Sequence, residues 1–181
     1  MKVQAAPLEG LLIVEPDVFQ DERGFFLESY NKDKFSQFGI DLDFTQDNHS
    51  KSVKNTLRGL HFQTSPGQAK LVRAVQGAIW DVAVDIRPGS PTLGKWFGIE
   101  LSAKNKVMFF VPVGFAHGFC VLSETAEVLY KVSSVYNPQT EAGIMWNDPQ
   151  IGVEWPVPEP VLSNRDQNNP SLKEYLKSIK K

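Results

Sequence analysis

Leu57-Arg58-Gly59-Leu60-His61-Phe62-Gln63, followed by Lys70, sets a histidine and two cations into an otherwise apolar, strand-like stretch. An imidazole can take a proton near neutral pH, and a lysine or arginine can hold developing negative charge. Strict alternation puts Arg58 and His61 on opposite faces of a strand. They serve one pocket only if Gly59 permits a bulge or a sharp twist, a common use of glycine within a strand. The plain alternative is a satisfied core histidine with solvated cations around it, and both readings stand at this point. Tyr130-Lys131 and Tyr136-Asn137-Pro138 form a second group. The tyrosines are six residues apart, so on one continuous strand they share a face. Core packing explains such a pair, yet a hydroxyl inside a barrel needs a partner. Beside a histidine and a lysine it can donate a proton. In Ser163-Asn164-Arg165-Asp166, Asp166 is either a turn residue or a carboxylate that folds back to orient His61 and support its protonated form.

Pro112-Val113-Gly114-Phe115-Ala116-His117-Gly118 is similar to the P-x-G-x-x-H element of the cupin jelly rolls. In metal-binding cupins that histidine joins an upstream H-x-H pair and a glutamate around one ion. Here the upstream site reads His61-Phe62-Gln63, one histidine short. A transition metal normally needs three or more protein N, O or S ligands, so no metal is expected. His117 is otherwise a polar residue hydrogen-bonded inside the barrel.

The elements that must carry these residues are mostly short strands. Trp80, Val82, Val84 and Ile86 alternate with Asp81, Ala83 and Asp85, the pattern of a half-buried strand. Phe97, Ile99 and Leu101, and then Val128, Tyr130 and Val132, repeat that period. Arg87-Pro88-Gly89-Ser90-Pro91 breaks the first two runs as a turn. Strands separated by Gly/Pro turns predict an all-β antiparallel sandwich or barrel. Two short helices are expected: Asn31–Phe38, capped by Asn31 and stopped by Gly39, and Ser171–Ile179, capped by Ser171. Trp155-Pro156-Val157-Pro158-Glu159-Pro160 must be extended.

Composition narrows the classes. The 181 residues carry 19 basic and 21 acidic side chains, a net charge of −2, three histidines and one cysteine, Cys120. One domain over residues 1–181 is expected, large enough to bury roughly 70% of its unfolded surface. The charge argues against a nucleic-acid binder built on basic patches. One cysteine excludes an internal disulfide and a Cys-rich zinc site. No signal-peptide run is visible at the N-terminus, and the most apolar stretch, Val107–Phe119, is broken by Pro112, Gly114 and His117. No membrane association is expected, and the cytoplasm is the simplest compartment.

Together the segments resemble the dTDP-4-dehydrorhamnose 3,5-epimerase family, a branch of the cupins acting on nucleotide-linked keto-sugars. The resemblance runs through Arg23-Gly24-Phe25-Phe26-Leu27-Glu28-Ser29, Gln46-Asp47-Asn48-His49-Ser50, Leu57–Gln63 and Gln68-Ala69-Lys70-Leu71-Val72-Arg73. It continues through Trp80–Arg87, Pro112–Phe119 and Trp146-Asn147-Asp148-Pro149. It implies a cupin-type jelly roll without metal or cofactor, a homodimer, that inverts carbons 3 and 5 of dTDP-4-dehydro-6-deoxy-D-glucose. The product is then dTDP-4-dehydro-L-rhamnose, the precursor of dTDP-L-rhamnose. By the matching motifs His61 corresponds to the base, Tyr130 to the acid, Asp166 to the carboxylate paired with His61, and Lys70 to the group at the 4-keto oxygen. Arg23, Glu28, Gln46, Asn48, Arg58, His117, Tyr136, Glu141 and Arg165 fall where the nucleotide-sugar is bound. Arg165 stands where relatives often carry lysine, which keeps the charge but not the geometry.

The implied chemistry suits these residue types. Both carbons flank a ketone, so each proton can leave once the enolate is stabilised by a cation in a low-dielectric pocket. Inversion requires a second group on the opposite face, which Tyr130 supplies. No Gly-rich dinucleotide fingerprint is present. Two other functions compete: a single-centre epimerase on a related 4-keto sugar, and a non-catalytic sugar-binding jelly roll. The second predicts loss of His61 or Lys70, and neither is lost.

Overall fold

The computed structural model describes residues 1–179. Along the chain run strands β1 (Lys2–Ala5), β2 (Leu12–Glu15), β3 (Val18–Asp21) and β4 (Gly24–Leu27), then helix α1 (Lys32–Ser36). Next come β5 (Gln46–Val53), β6 (Leu57–Gln63), β7 (Lys70–Gln76), β8 (Ala78–Asp85) and β9 (Trp96–Ser102). The series ends with β10 (Met108–Val111), β11 (Phe115–Val121), β12 (Thr125–Val132), β13 (Glu141–Gly143), α2 (Asn164–Gln167) and α3 (Leu172–Ser178).

Two antiparallel sheets face each other, one ordered β1-β2-β10-β7-β12-β5 and the other β13-β6-β11-β8-β9. Strands from β5 onward pass between the two sheets at nearly every connection, the only exception being β8 to β9. This is the jelly roll the motifs implied. A separate hairpin, β3-β4, pairs with neither sheet, and its Phe19, Phe25 and Phe26 are exposed. No helix among the described residues is long and apolar enough to cross a membrane.

The core has three layers because both sheets are covered on their outer faces. Between the sheets pack Leu11, Val72, Ile79, Leu101, Phe109, Phe115 and Val128. Outside the five-stranded sheet, Leu60, Phe62, Val82 and Val84 lie under Ile144, Ile151 and Leu172, with the Tyr175 ring edge-on to Phe62 at 4.9 Å. Outside the six-stranded sheet, Val14, Leu71, Met108 and Phe110 pack with Phe35 of α1 and Ile40. This covering corrects the half-buried reading of β8. Its Val82 and Val84 lie beneath the C-terminal segment, and Asp81, Ala83 and Asp85 are also buried.

Both expected helices form at their expected caps. The Asn31 side chain accepts from the Lys34 N–H at 3.2 Å, and Ser171 and Glu174 make a reciprocal capping box on α3. The one continuous strand on which the two tyrosines would share a face does not form. β12 ends at Val132, so Tyr136 lies in the following loop, half exposed, and takes no part in core packing.

Candidate active site

Strand alternation delivers most of the site. On β5, Gln46, Asn48, Ser50 and Ser52 share one face by the period of two, as do Lys70 and Val72 on β7, Val128 and Tyr130 on β12, and Phe115, His117 and Phe119 on β11. These faces enclose a cavity of about 400 Å³. Arg58 and His61 both line it although they are three residues apart on β6. The register explains how: His117 pairs with His61, but Phe119 pairs with Arg58, so three steps on β6 span two on β11. This is the bulge that Gly59 was required to permit. Gly59 has φ +131, and a Cβ there would lie 2.5 Å from Gly118 Cα and 2.8 Å from the His117 carbonyl oxygen. No other residue fits that conformation and that approach together.

Asp166 does fold back. It sits in α2, whose N-cap is Ser163, and is 3% exposed. The His61 Nε2–H donates to Asp166 Oδ1 at 2.5 Å, and the Ser163 hydroxyl donates to Oδ2 at 2.8 Å. A carboxylate only accepts, so the hydrogen resides on Nε2 and the lone pair on Nδ1 is left for substrate. Burial raises the Asp166 carboxyl, but hydrogen bonds from His61 and Ser163 and the charges of His61 and Arg165 outweigh it, and the net shift is downward. The Asp166 side chain is therefore an anion at neutral pH.

Lys70 is 7% exposed and donates to the His61 carbonyl oxygen at 3.2 Å. Burial pushes its ammonium down to about 8 against the pull of Asp81 and Glu141. Burial also raises the Tyr130 phenol, with the Arg58 charge opposing, so Tyr130 carries its proton at neutral pH. Arg58 donates from Nε to the Ser52 hydroxyl at 3.0 Å. His117, buried, is hydrogen-bonded to Asp81. Among the described residues no group of three or more His, Cys, Asp or Glu is arranged to hold a metal ion.

A second cavity of about 240 Å³ shares His61, Lys70 and Tyr130 with the first and adds Gln46, Asn48, Tyr136 and Glu141. Gln46 Nε2 donates to Asn48 Oδ1 at 2.8 Å. Tyr136 donates its hydroxyl to Glu141 Oε2 at 2.8 Å, and Arg165 reaches the same oxygen at 2.5 Å. Eleven of the expected residues thus line one continuous site. Arg23 and Glu28 do not: Arg23 is 84% exposed at the tip of the β3-β4 hairpin beside Asp21, and Glu28 pairs with Lys34. Two residues of the site were missed. Ser163 was named only within its segment, with no role of its own, and the helix it caps was not expected. Asp81 was placed on the polar phase of β8 when that phase faces the barrel interior.

The arrangement can hold a polar, anionic small molecule and move protons on its sugar-sized end. A profile of the dTDP-4-dehydrorhamnose 3,5-epimerase family matches residues 5–174. The dTDP-4-dehydrorhamnose 3,5-epimerase of Shigella flexneri is 54% identical over 93% of this chain and 94% of its own length. The crystal structure of the same enzyme from Elizabethkingia anophelis is 50% identical, covers 96% of this chain and 97% of its own, and superposes with a TM-score of 0.92. A 3,5-epimerase from Legionella pneumophila, crystallised with dTDP-4-keto-L-rhamnose, is 45% identical over 95% of this chain and 93% of its own, with a TM-score of 0.93. With this agreement in sequence and fold, the chain belongs to the dTDP-4-dehydrorhamnose 3,5-epimerase family, isomerases of dTDP-rhamnose biosynthesis.

Proposed function

We propose that the chain inverts carbons 3 and 5 of dTDP-4-dehydro-6-deoxy-D-glucose by two proton transfers through enolates. His61 Nδ1 takes the proton from each carbon, with Asp166 holding Nε2–H and supporting the imidazolium that forms. The Lys70 ammonium faces the 4-keto oxygen and stabilises the enolate. Tyr130 returns a proton to the opposite face of the ring. One observation carries this reading: His61 belongs to the five-stranded sheet, whereas Tyr130 and Lys70 belong to the six-stranded sheet, and all three line both cavities. A flat ring between the two walls meets a base on one side and an acid on the other. Each inversion leaves His61 with one proton more and Tyr130 with one fewer, and solvent in the open cavity restores both.

The remaining groups suit the nucleotide. Arg58 and Arg165 offer bidentate donors to a diphosphate, and Gln46, Asn48, Tyr136 and Glu141 form the outer cavity beside them. His117 contacts the sugar. The reading takes the enzyme as a homodimer, one domain per chain, working without a cofactor in the cytoplasm. Arg23 and Glu28 lie away from the chain's own cavity, so their contacts with nucleotide are made in a second copy's site. The exposed aromatic rings of the β3-β4 hairpin favour such a covering contact.

The test is proton exchange in deuterated water, followed by NMR of the keto-sugar. Deuterium is expected at carbons 3 and 5 with native enzyme and at neither with His61→Asn, which still binds dTDP. Exchange at one carbon only supports a single-centre epimerase, and exchange at neither a sugar-binding protein. Normal turnover by His61→Asn would show that the base lies elsewhere.

A further inference from the structure

Asp81 takes no part in the steps above, yet it is 0% exposed in the wall behind the reacting groups. Among the described residues its carboxylate has one side-chain hydrogen-bonding partner, His117, whose Nε2 lies 2.8 and 3.0 Å from the two oxygens. Nε2 must therefore carry the hydrogen. Burial lowers His117, with Asp81 opposing and the Lys70 and His61 charges adding to the fall, so the ring is neutral at pH 7 and Nδ1 is a bare acceptor. His117 Nδ1 is not among the closed-off polar atoms lacking a partner, and His117 lines the cavity, so this lone pair opens onto it.

The same carboxylate has an electrostatic role. No carboxylate pairs directly with Lys70 among the described residues, and the negative charges acting on it are those of Asp81 and Glu141. Glu141 already receives Tyr136 and Arg165. Asp81 is bound only to a neutral imidazole and, among the described residues, forms no ion pair with a lysine or arginine.

We infer that Asp81 is a positioning residue for the epimerisation, holding His117 with its Nδ1 lone pair toward a sugar hydroxyl and supplying the counter-charge that keeps Lys70 an ammonium. The inference rests on the assignment of Lys70 to the keto oxygen made above. The groups facing Lys70 are few. His61 and Arg58 come from β6, His117 from β11 with Asp81 of β8 behind it, Tyr130 from β12 and Glu141 from β13. Asp166 and Arg165 approach from α2 across the larger cavity. Removing Asp81 therefore removes one of two anions that hold the proton on Lys70.

The experiment is the pH profile of kcat for native enzyme and Asp81→Asn, an isostere that can still accept from Nε2–H. The native profile falls above about pH 8, where Lys70 loses its proton. In the variant that fall moves down by about one pH unit, with a loss of about fivefold at pH 8 and less than about twofold at pH 6. Recovery at low pH is a result that a packing role does not produce. An unmoved fall, or an equal loss at every pH, overturns the inference and leaves the Lys70 assignment standing. A native profile with no alkaline fall overturns both. Should the variant not fold, 15N NMR of histidine-labelled protein decides, with His49→Gln and His61→Asn used to assign the three rings. A neutral His117 with hydrogen on Nε2 is expected throughout the neutral range, and hydrogen on Nδ1 or an imidazolium overturns the inference.

Discussion

Replacing Lys70 by Met is expected to destroy activity while making the protein more stable. Methionine keeps the unbranched stem and discards the charge. Burial lowers Lys70 from 10.5 to about 8, and at roughly 1.4 kcal/mol per pH unit the charged form costs the folded state about 3 kcal/mol at pH 7. The lost hydrogen bond to the His61 carbonyl returns about 1 kcal/mol of that. The variant should then be more stable by about 2 kcal/mol, a rise of roughly 4–8 °C in Tm for a domain of this size. The sign follows from proton counts. Between pH 8 and 10.5 the unfolded chain holds the Lys70 proton and the folded chain releases it, so native stability rises with pH there. The advantage of the variant is full below pH 8 and is gone near pH 10. Urea unfolding of both proteins at equal concentration, followed by tryptophan fluorescence at pH 7 and pH 10, measures it, and other titrations cancel in the difference. The variant should lose at least about 100-fold in kcat. A variant no more stable than native at pH 7, or a gap that persists at pH 10, refutes the reasoning.

Tyr130→Phe should lose inversion by at least about 100-fold while His61 still exchanges carbon-bound protons from its own face. NMR in deuterated water separates exchange with retention from inversion, and inversion at the native rate would remove Tyr130 from the role of acid. Gly59→Ala should cost about 3 kcal/mol or more, because it combines a disfavoured φ with contacts of 2.5 and 2.8 Å against backbone. Thermal unfolding tests this, and a Tm within a degree of native would mean that the bulge relaxes without strain.

What could be read before the structure was local. The alternations ending at Ile86 and Val132 and the caps Asn31 and Ser171 depend on neighbours within a few residues, and each element formed. The demand that Gly59 kink β6 was also local, because Arg58 and His61 could share a pocket in no other way. What failed depended on distant chain. Period two names two faces of β8 but not which meets solvent, and the C-terminal segment covers the face of Val82 and Val84, leaving Asp81 inside. The end of β12 at Val132, which frees Tyr136 from the strand, is likewise set by tertiary pairing with β5 and β7. Asp166 reaches His61 across 105 residues, a meeting that the resemblance implied and no spacing rule contains.

The late position of Asp166 bears on when the enzyme becomes one. Every strand of both sheets lies before Ile144, whereas the carboxylate that orients His61 lies well after it. Synthesis proceeds from the N-terminus, so Lys70, Tyr130 and His61 leave the ribosome before the group that prepares the base. The same closing stretch brings Ile151 and Leu172 to cover the outer face of the five-stranded sheet. Solubility of that face and readiness of the imidazole therefore arrive together, and a prematurely ended chain would be both sticky and without a prepared base. Catalytic competence in this sense waits on a stretch of chain made after both sheets.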